Sequence, residues 1–197
     1  MTSDRSPSSR RSALGRTTLH RRTLVGVIAS TGLAGCLGRF SEDPEPIALT
    51  GQRECDNCGM IVSDHPGPVG QIYFSNDDPE GGRPGQFCSS TCAYTYRFEQ
   101  EDAGRTVEVM YLTDYSIVDQ EVREEGGDVL FSSHVEADAF AAIDGLTVVA
   151  GSDVVGAMGP ELIPFSDEDD VESFQETYGG EAFAATEVDR TLLEGLK

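Results

Sequence analysis

Hydrophobic positions along this chain fall in short runs whose period switches between that of a strand and that of a helix, each run closed by glycine, proline or acidic residues. Gln71-Ile72-Tyr73-Phe74 opens as an extended segment, residues 76–82 have turn composition, and Gln86-Phe87-Cys88 resumes extended. Cys92, Ala93, Tyr96 and Phe98 then fit a helix over residues 89–102, with Ser89 or Ser90 as its cap. Strand alternation returns over residues 105–112.

The second half repeats that order. Leu146-Thr147-Val148-Val149-Ala150 predicts a strand, residues 151–159 a glycine-rich loop, and Glu161-Leu162-Ile163-Pro164-Phe165 an extended run. A helix follows over residues 169–178 with Val171, Phe174 and Tyr178 on its apolar face, and residues 181–188 supply a last strand. The step from Phe87 to Tyr96 equals that from Phe165 to Phe174, and Ser89 aligns with Asp167 as a helix start. The fold class read from this is α+β, two small β-β-α-β units forming one compact domain. Between the units, Val129-Leu130-Phe131 and residues 137–143 are expected to form a small strand and a helical turn or to line the cleft.

The N-terminal residues change the picture. Arg21-Arg22 runs into a short apolar stretch that ends at Leu33-Ala34-Gly35-Cys36, the order of an export signal closing on a lipidated cysteine, with adjacent arginines of twin-arginine type. The stretch is too short and too rich in small polar residues to remain as a spanning helix. The chain then divides into a signal (1–35), lipidated Cys36 with a flexible tether (36–51), the duplicated α+β domain (52–189) and a C-terminal tail (190–197). It is placed on the outer face of the cytoplasmic membrane, anchored through Cys36.

Charge narrows the partners. The whole chain has 14 basic and 35 acidic residues; without the six arginines and one aspartate of residues 1–35, 8 basic face 34 acidic residues, a formal charge of −26. Such a surface repels phosphates and excludes nucleic acid as a partner. With Lys197 as the single lysine, it resembles proteins of cells with molar salt, where screening relieves the repulsion.

Once Cys36 is assigned to the lipid, four cysteines remain, in two short-gap pairs: Cys55-Asp56-Asn57-Cys58-Gly59-Met60 and Cys88-Ser89-Ser90-Thr91-Cys92. A two-residue gap lets both sulfurs of the first pair converge on one atom, and Gly59 lets the chain turn behind them. Four thiols with the Met60 thioether make a soft donor set that suits Cu(I), while four thiolates equally suit tetrahedral Zn(II). Disulfides, and a thiol-disulfide reductase working through Cys55 and Cys58, are further readings of the same residues. The loop of residues 151–159 has no lysine and is not a phosphate loop, and the two histidines of the domain, His65 and His134, stand in no catalytic spacing. No catalytic residue is assigned.

Taken together, Cys55 through Met60, Met110-Tyr111-Leu112-Thr113-Asp114-Tyr115, Val148 through Gly159, and Phe165 through Ala182 with Tyr178-Gly179-Gly180 resemble the NosL-type accessory lipoproteins of nitrous oxide reductase. The resemblance covers about residues 50–189. It implies a membrane-tethered Cu(I)-binding metallochaperone, with Cys55, Cys58, Met60 and Met158 as ligand candidates, whose partners are nitrous oxide reductase and its membrane-associated assembly machinery. The second pair, Cys88 and Cys92, departs from the family's usual pattern and is similar to small heavy-metal domains of the YHS or TRASH type. That departure raises a four-thiolate, structural Zn(II) interaction module as the alternative.

Overall fold

The structure, a computed structural model, describes residues 43–76 and 78–196. The predicted signal, Cys36 and the start of the tether lie outside the described residues. In the first unit, β1 (Gly70–Phe74) pairs antiparallel with β2 (Gly85–Phe87) on one side and β3 (Val107–Thr113) on the other. Helix α1 (Ser90–Asp102) carries the chain from β2 to β3. Ser89 caps it: its Oγ accepts the Cys92 N–H at 2.9 Å, satisfying an amide that has no partner inside the helix.

After β3 come the hairpin β4 (Val122–Glu125) and β5 (Asp128–Phe131), of which only β5 was foreseen. Residues 137–143 are not one helical turn. A 3-10 turn over Ala137–Ala139 gives way to strand β6 (Phe140–Ala142), whose backbone extends the first sheet along β3. The first sheet therefore has the order β2-β1-β3-β6.

The second unit copies the first. β7 (Thr147–Gly156) is flanked by β8 (Gly159–Phe165) and β9 (Glu181–Ala184), both antiparallel to it, and α2 (Glu168–Tyr178) connects β8 to β9 under an Asp167 cap. Residues 151–159 are mostly strand and not a loop. β7 continues to Gly156 through a register shift between Ala150 and Val155, where Gly151 takes φ +70°, so the glycine serves a bulge. Its far end also pairs in parallel with β5. The last strand stops at Ala184, and Ala185–Glu187 form a 3-10 turn.

Strand alternation in the second sheet divides the core. Val148, Ala150 and Leu162 join α1, the first sheet and Tyr94 in one buried cluster, whereas Val149, Ile163 and Phe165 face Val171 and Phe174 of α2 in another. The tether belongs to the domain from Pro44 onward. Ile47 and the buried Gln71 side chain exchange two hydrogen bonds, Leu49 is buried, and the Tyr73 and Tyr111 hydroxyls donate to the carbonyls of Glu45 and Pro44. Residues 190–197, read as a tail, include helix α3 (Arg190–Gly195). Its Arg190 donates to the Phe98 carbonyl and Asp102 and lies 5.0 Å over the Phe98 ring, while Leu193 is buried.

Because α3 is held by a buried leucine, Leu193→Ala is expected to cost about 2 to 4 kcal/mol, the usual range for emptying a leucine site. Urea denaturation of the variant against the parent protein measures it; an unchanged midpoint would mean that the helix does not dock.

Candidate metal centre

Residues 54–61 fold back on themselves. Glu54 and Ile61 form an isolated bridge, the Cys55 N–H donates to the Met60 carbonyl, and the Gly59 N–H returns to the Cys55 carbonyl at 2.8 Å. Closing so tight a turn puts Gly59 at φ +79°, a conformation that disfavours side chains. The Cys55 and Cys58 sulfurs are thereby presented on one side of a knuckle. Cys88 follows the end of β2, and Cys92 lies in the first turn of α1 beyond the Ser89 cap.

One carboxylate joins the two halves. Asp56 accepts two hydrogen bonds from the Arg83 guanidinium, at 2.6 and 2.7 Å, and a third from the Gln86 N–H at 2.7 Å, while its own N–H donates to the Gln86 carbonyl. Arg83 also pairs with Glu80, and Arg53 reaches the Gln86 side chain. The knuckle is thus fixed to β2, the strand that leads into Cys88.

All four sulfurs lie within 4.8 Å of one another. Cys58 and Cys88 are 3.5 Å apart, and Cys88 and Cys92 3.9 Å. A tetrahedral ion bonded to four thiolates needs sulfurs roughly 3.8 Å apart, so the donor set fits one metal ion with small adjustments. Cys55, Cys88 and Cys92 are buried and Cys58 is exposed. Hydrogen bonds from Cys88 and Cys92 pull the Cys55 thiol far below its ordinary range. The bond to Cys55 pushes Cys88 up, and the same partner pushes Cys92 up to about 12. The three buried thiols are linked, so that negative charge on one is stabilised by the others donating to it.

The two methionines are placed differently. Met60 is half-buried and packs against the main core. Met158 is exposed at the turn between β7 and β8 and lines a cleft of about 210 Å³ together with Asn57, Thr91 and Cys92. Neither His65 nor His134 joins the sulfur cluster.

The sequence reading did not single out Asp56, Arg83, Thr91 or Glu161. Arg83 is one of few cations in a strongly acidic domain, and Glu161 is the one charged residue in an otherwise apolar extended run; each was a signal available in the sequence. Glu161 is fully buried. Its Oε1 accepts the Thr91 N–H and hydroxyl at 2.9 Å and the Leu162 N–H at 3.0 Å. Burial pushes its carboxyl up from 4.5 to about 7.

Comparison with known proteins adds a consistent set of matches. The NosL family model matches residues 46–193. The copper-binding lipoprotein NosL of Stutzerimonas stutzeri is 30% identical over 182 residues, covering 89% of this chain and 85% of that protein. Among solved structures, the crystal structure of the copper chaperone NosL from Shewanella denitrificans superposes with a TM-score of 0.59 at 25% identity, over 75% of this chain and 97% of that one. The solution structure of apo-NosL from Achromobacter cycloclastes covers 63% of this chain and 87% of its own, at 22% identity and a TM-score of 0.39.

Two outcomes follow from this geometry. Asp56→Ala removes the group that ties the knuckle to β2 and is expected to weaken metal binding about 10- to 100-fold, as loss of an outer partner of a ligand does; competition against a chromogenic chelator reads it. For Glu161, the folded carboxyl holds its proton more tightly than the unfolded one. The resulting stability is full below pH 4.5 and is lost as pH rises through about 7. The loss amounts to about 3 kcal/mol. Urea unfolding across that range should show Glu161→Gln gaining stability relative to the parent as pH rises; a difference independent of pH would contradict the assignment.

Proposed function

The chain belongs to the NosL family, and on that footing we propose that it is a Cu(I) carrier whose cargo is held by Cys55, Cys58, Cys88 and Cys92 and passed on during maturation of nitrous oxide reductase. The observation that carries this reading is the convergence of four thiols, three buried and one exposed. Thiolates are the donors Cu(I) prefers, and a d10 ion accepts two, three or four of them without a strong geometric demand. Cargo can therefore move by stepwise ligand exchange, with no change in oxidation state. Cys58 is the thiolate an incoming donor meets first, while the buried three retain the ion until the exchange is complete.

Met158 stands at the edge of the cleft beside Cys92, where a thioether would offer a weak additional sulfur on the route out. Met60 packs against the core, and in this reading it supports the knuckle in addition to its candidacy as a ligand. Nitrous oxide reductase and its membrane-associated assembly machinery are assigned as partners on the family resemblance. Lipidation at Cys36 would keep the domain on the extracytoplasmic face of the membrane. The role is carriage, with no catalytic residue assigned.

A structural Zn(II) site is the second reading. It is favoured by the same burial of Cys55, Cys88 and Cys92, since a closed four-thiolate cage is the usual form of structural zinc.

X-ray absorption of the reduced, Cu(I)-loaded protein tests the site: a shell of sulfur is expected, and a shell of oxygen and nitrogen would reject it. Deleting the gene tests the role. Copper in purified nitrous oxide reductase is expected to fall under copper limitation and to be restored by the wild-type gene but not by a Cys55→Ser/Cys58→Ser form. Full metal occupancy without the gene would exclude a required delivery role. Stoichiometric zinc that withstands Cu(I) challenge would instead support the structural reading.

A further inference from the structure

A carboxyl group is expensive to bury, and Glu161 is buried with one oxygen, Oε2, lacking any hydrogen-bond partner. The fold leaves it little room to move. A Cβ on Gly156 would come within 2.9 Å of that oxygen, and Gly156 is itself pressed by Gly67, where an added Cβ would lie 2.9 Å from the Gly156 Cα. The raised proton affinity of the group records the same cost, so global stability does not account for an acid at this position.

The partners of the other oxygen do account for it. Oε1 gathers the N–H and hydroxyl of Thr91 and the N–H of Leu162. Thr91 lies between Cys88 and Cys92 in the first turn of α1, and Leu162 is in β8. Beside this contact, the Ser90 hydroxyl donates to the Leu162 carbonyl at 2.9 Å. One residue earlier, the Ser89 hydroxyl receives the Cys92 N–H at 2.9 Å. An acid is well placed at a helix start, where amides point outward without partners.

We propose that Glu161 is a positioning residue for the metal centre: it clamps the Ser89–Thr91 turn to β8 and so fixes where Cys88 and Cys92 hold their sulfurs relative to the knuckle of Cys55 and Cys58. The clamp also ties the second repeat, through the strand that begins beside Met158, to the cysteine pair of the first. The inference rests on the metal-binding reading given above, and it concerns only how two of the four ligands are held.

The test uses the full chain in reduced form, with Cu(I) affinity measured by chelator competition. Glu161→Ala is expected to lose about 10- to 100-fold, the range for removing an outer partner of a ligand, and to show fewer sulfurs around the metal by X-ray absorption. Glu161→Gln keeps an oxygen for the three donors and is expected to restore both readouts. Thr91→Val deletes one donor at a half-buried site and is expected to weaken binding in the same direction, which keeps the question answerable if Glu161→Ala fails to fold. Unchanged affinity in Glu161→Ala, a Glu161→Gln as weak as the alanine form, or, where the alanine form does not fold, unchanged affinity in Thr91→Val overturns the proposal. The thiolate charge-transfer absorption of the Cd(II)-loaded proteins separates the two hypotheses. A wild type that ignores Cu(I) but forms the Cd(II) site defeats the copper assignment, and the variant series in Cd(II) still decides the role of Glu161.

Discussion

Two cysteine pairs separated by some thirty residues of chain can share one ion only if the backbone that carries each is held against the other, and the Asp56 carboxylate provides that link. It takes the two Arg83 nitrogens and the Gln86 amide at once, while the Asp56 amide reaches back to the Gln86 carbonyl. A charge-assisted fork of this kind fixes angle as well as distance. The turn at Gly59, the end of β2 and the start of α1 are consequently referred to a common frame, and the sulfurs meet without any demand on the exposed face of Cys58.

Duplication supplies the rest of that frame. In each unit the first strand is central, the second and third flank it in antiparallel fashion, and the helix joins the flanking pair. The copies have separate duties. In the second, Ser166 and Asp170 stand where the first has Cys88 and Cys92, so the helix start that bears sulfur in one copy bears an acidic first turn in the other. Helix α2 covers one face of its sheet and the first unit covers the opposite face, leaving the second repeat as the support on which the cysteine-bearing helix rests.

Much of this architecture was legible in the sequence because it follows from local chemistry. The equal steps from Phe87 to Tyr96 and from Phe165 to Phe174 mark the repeat, Ser89 and Asp167 mark the caps, and the cysteine spacings mark the centre. The failures share a cause. Residues 151–159 look like a loop because glycine usually interrupts strands, yet here partners on both sides hold a bulged strand together. The strap from Pro44 and the helix after Arg190 have little pattern of their own and are ordered by distant surfaces, the Tyr73 and Tyr111 hydroxyls in one case and Phe98 in the other. Glu161 was hidden for the same reason, since its meaning lies in a residue seventy positions away.

The strap shortens the leash. With the chain captured by the domain from Pro44, only eight residue steps separate that point from Cys36, and fully extended they reach about 29 Å. A domain anchored at Cys36 would then sweep a thin layer beside the bilayer, no deeper than about its own diameter. Confinement to such a layer would raise the local concentration seen by a membrane-held partner toward the millimolar range, so that even a weak and brief encounter would recur often. Its reach from the bilayer, more than its grip on a partner, would decide which proteins such a domain can meet.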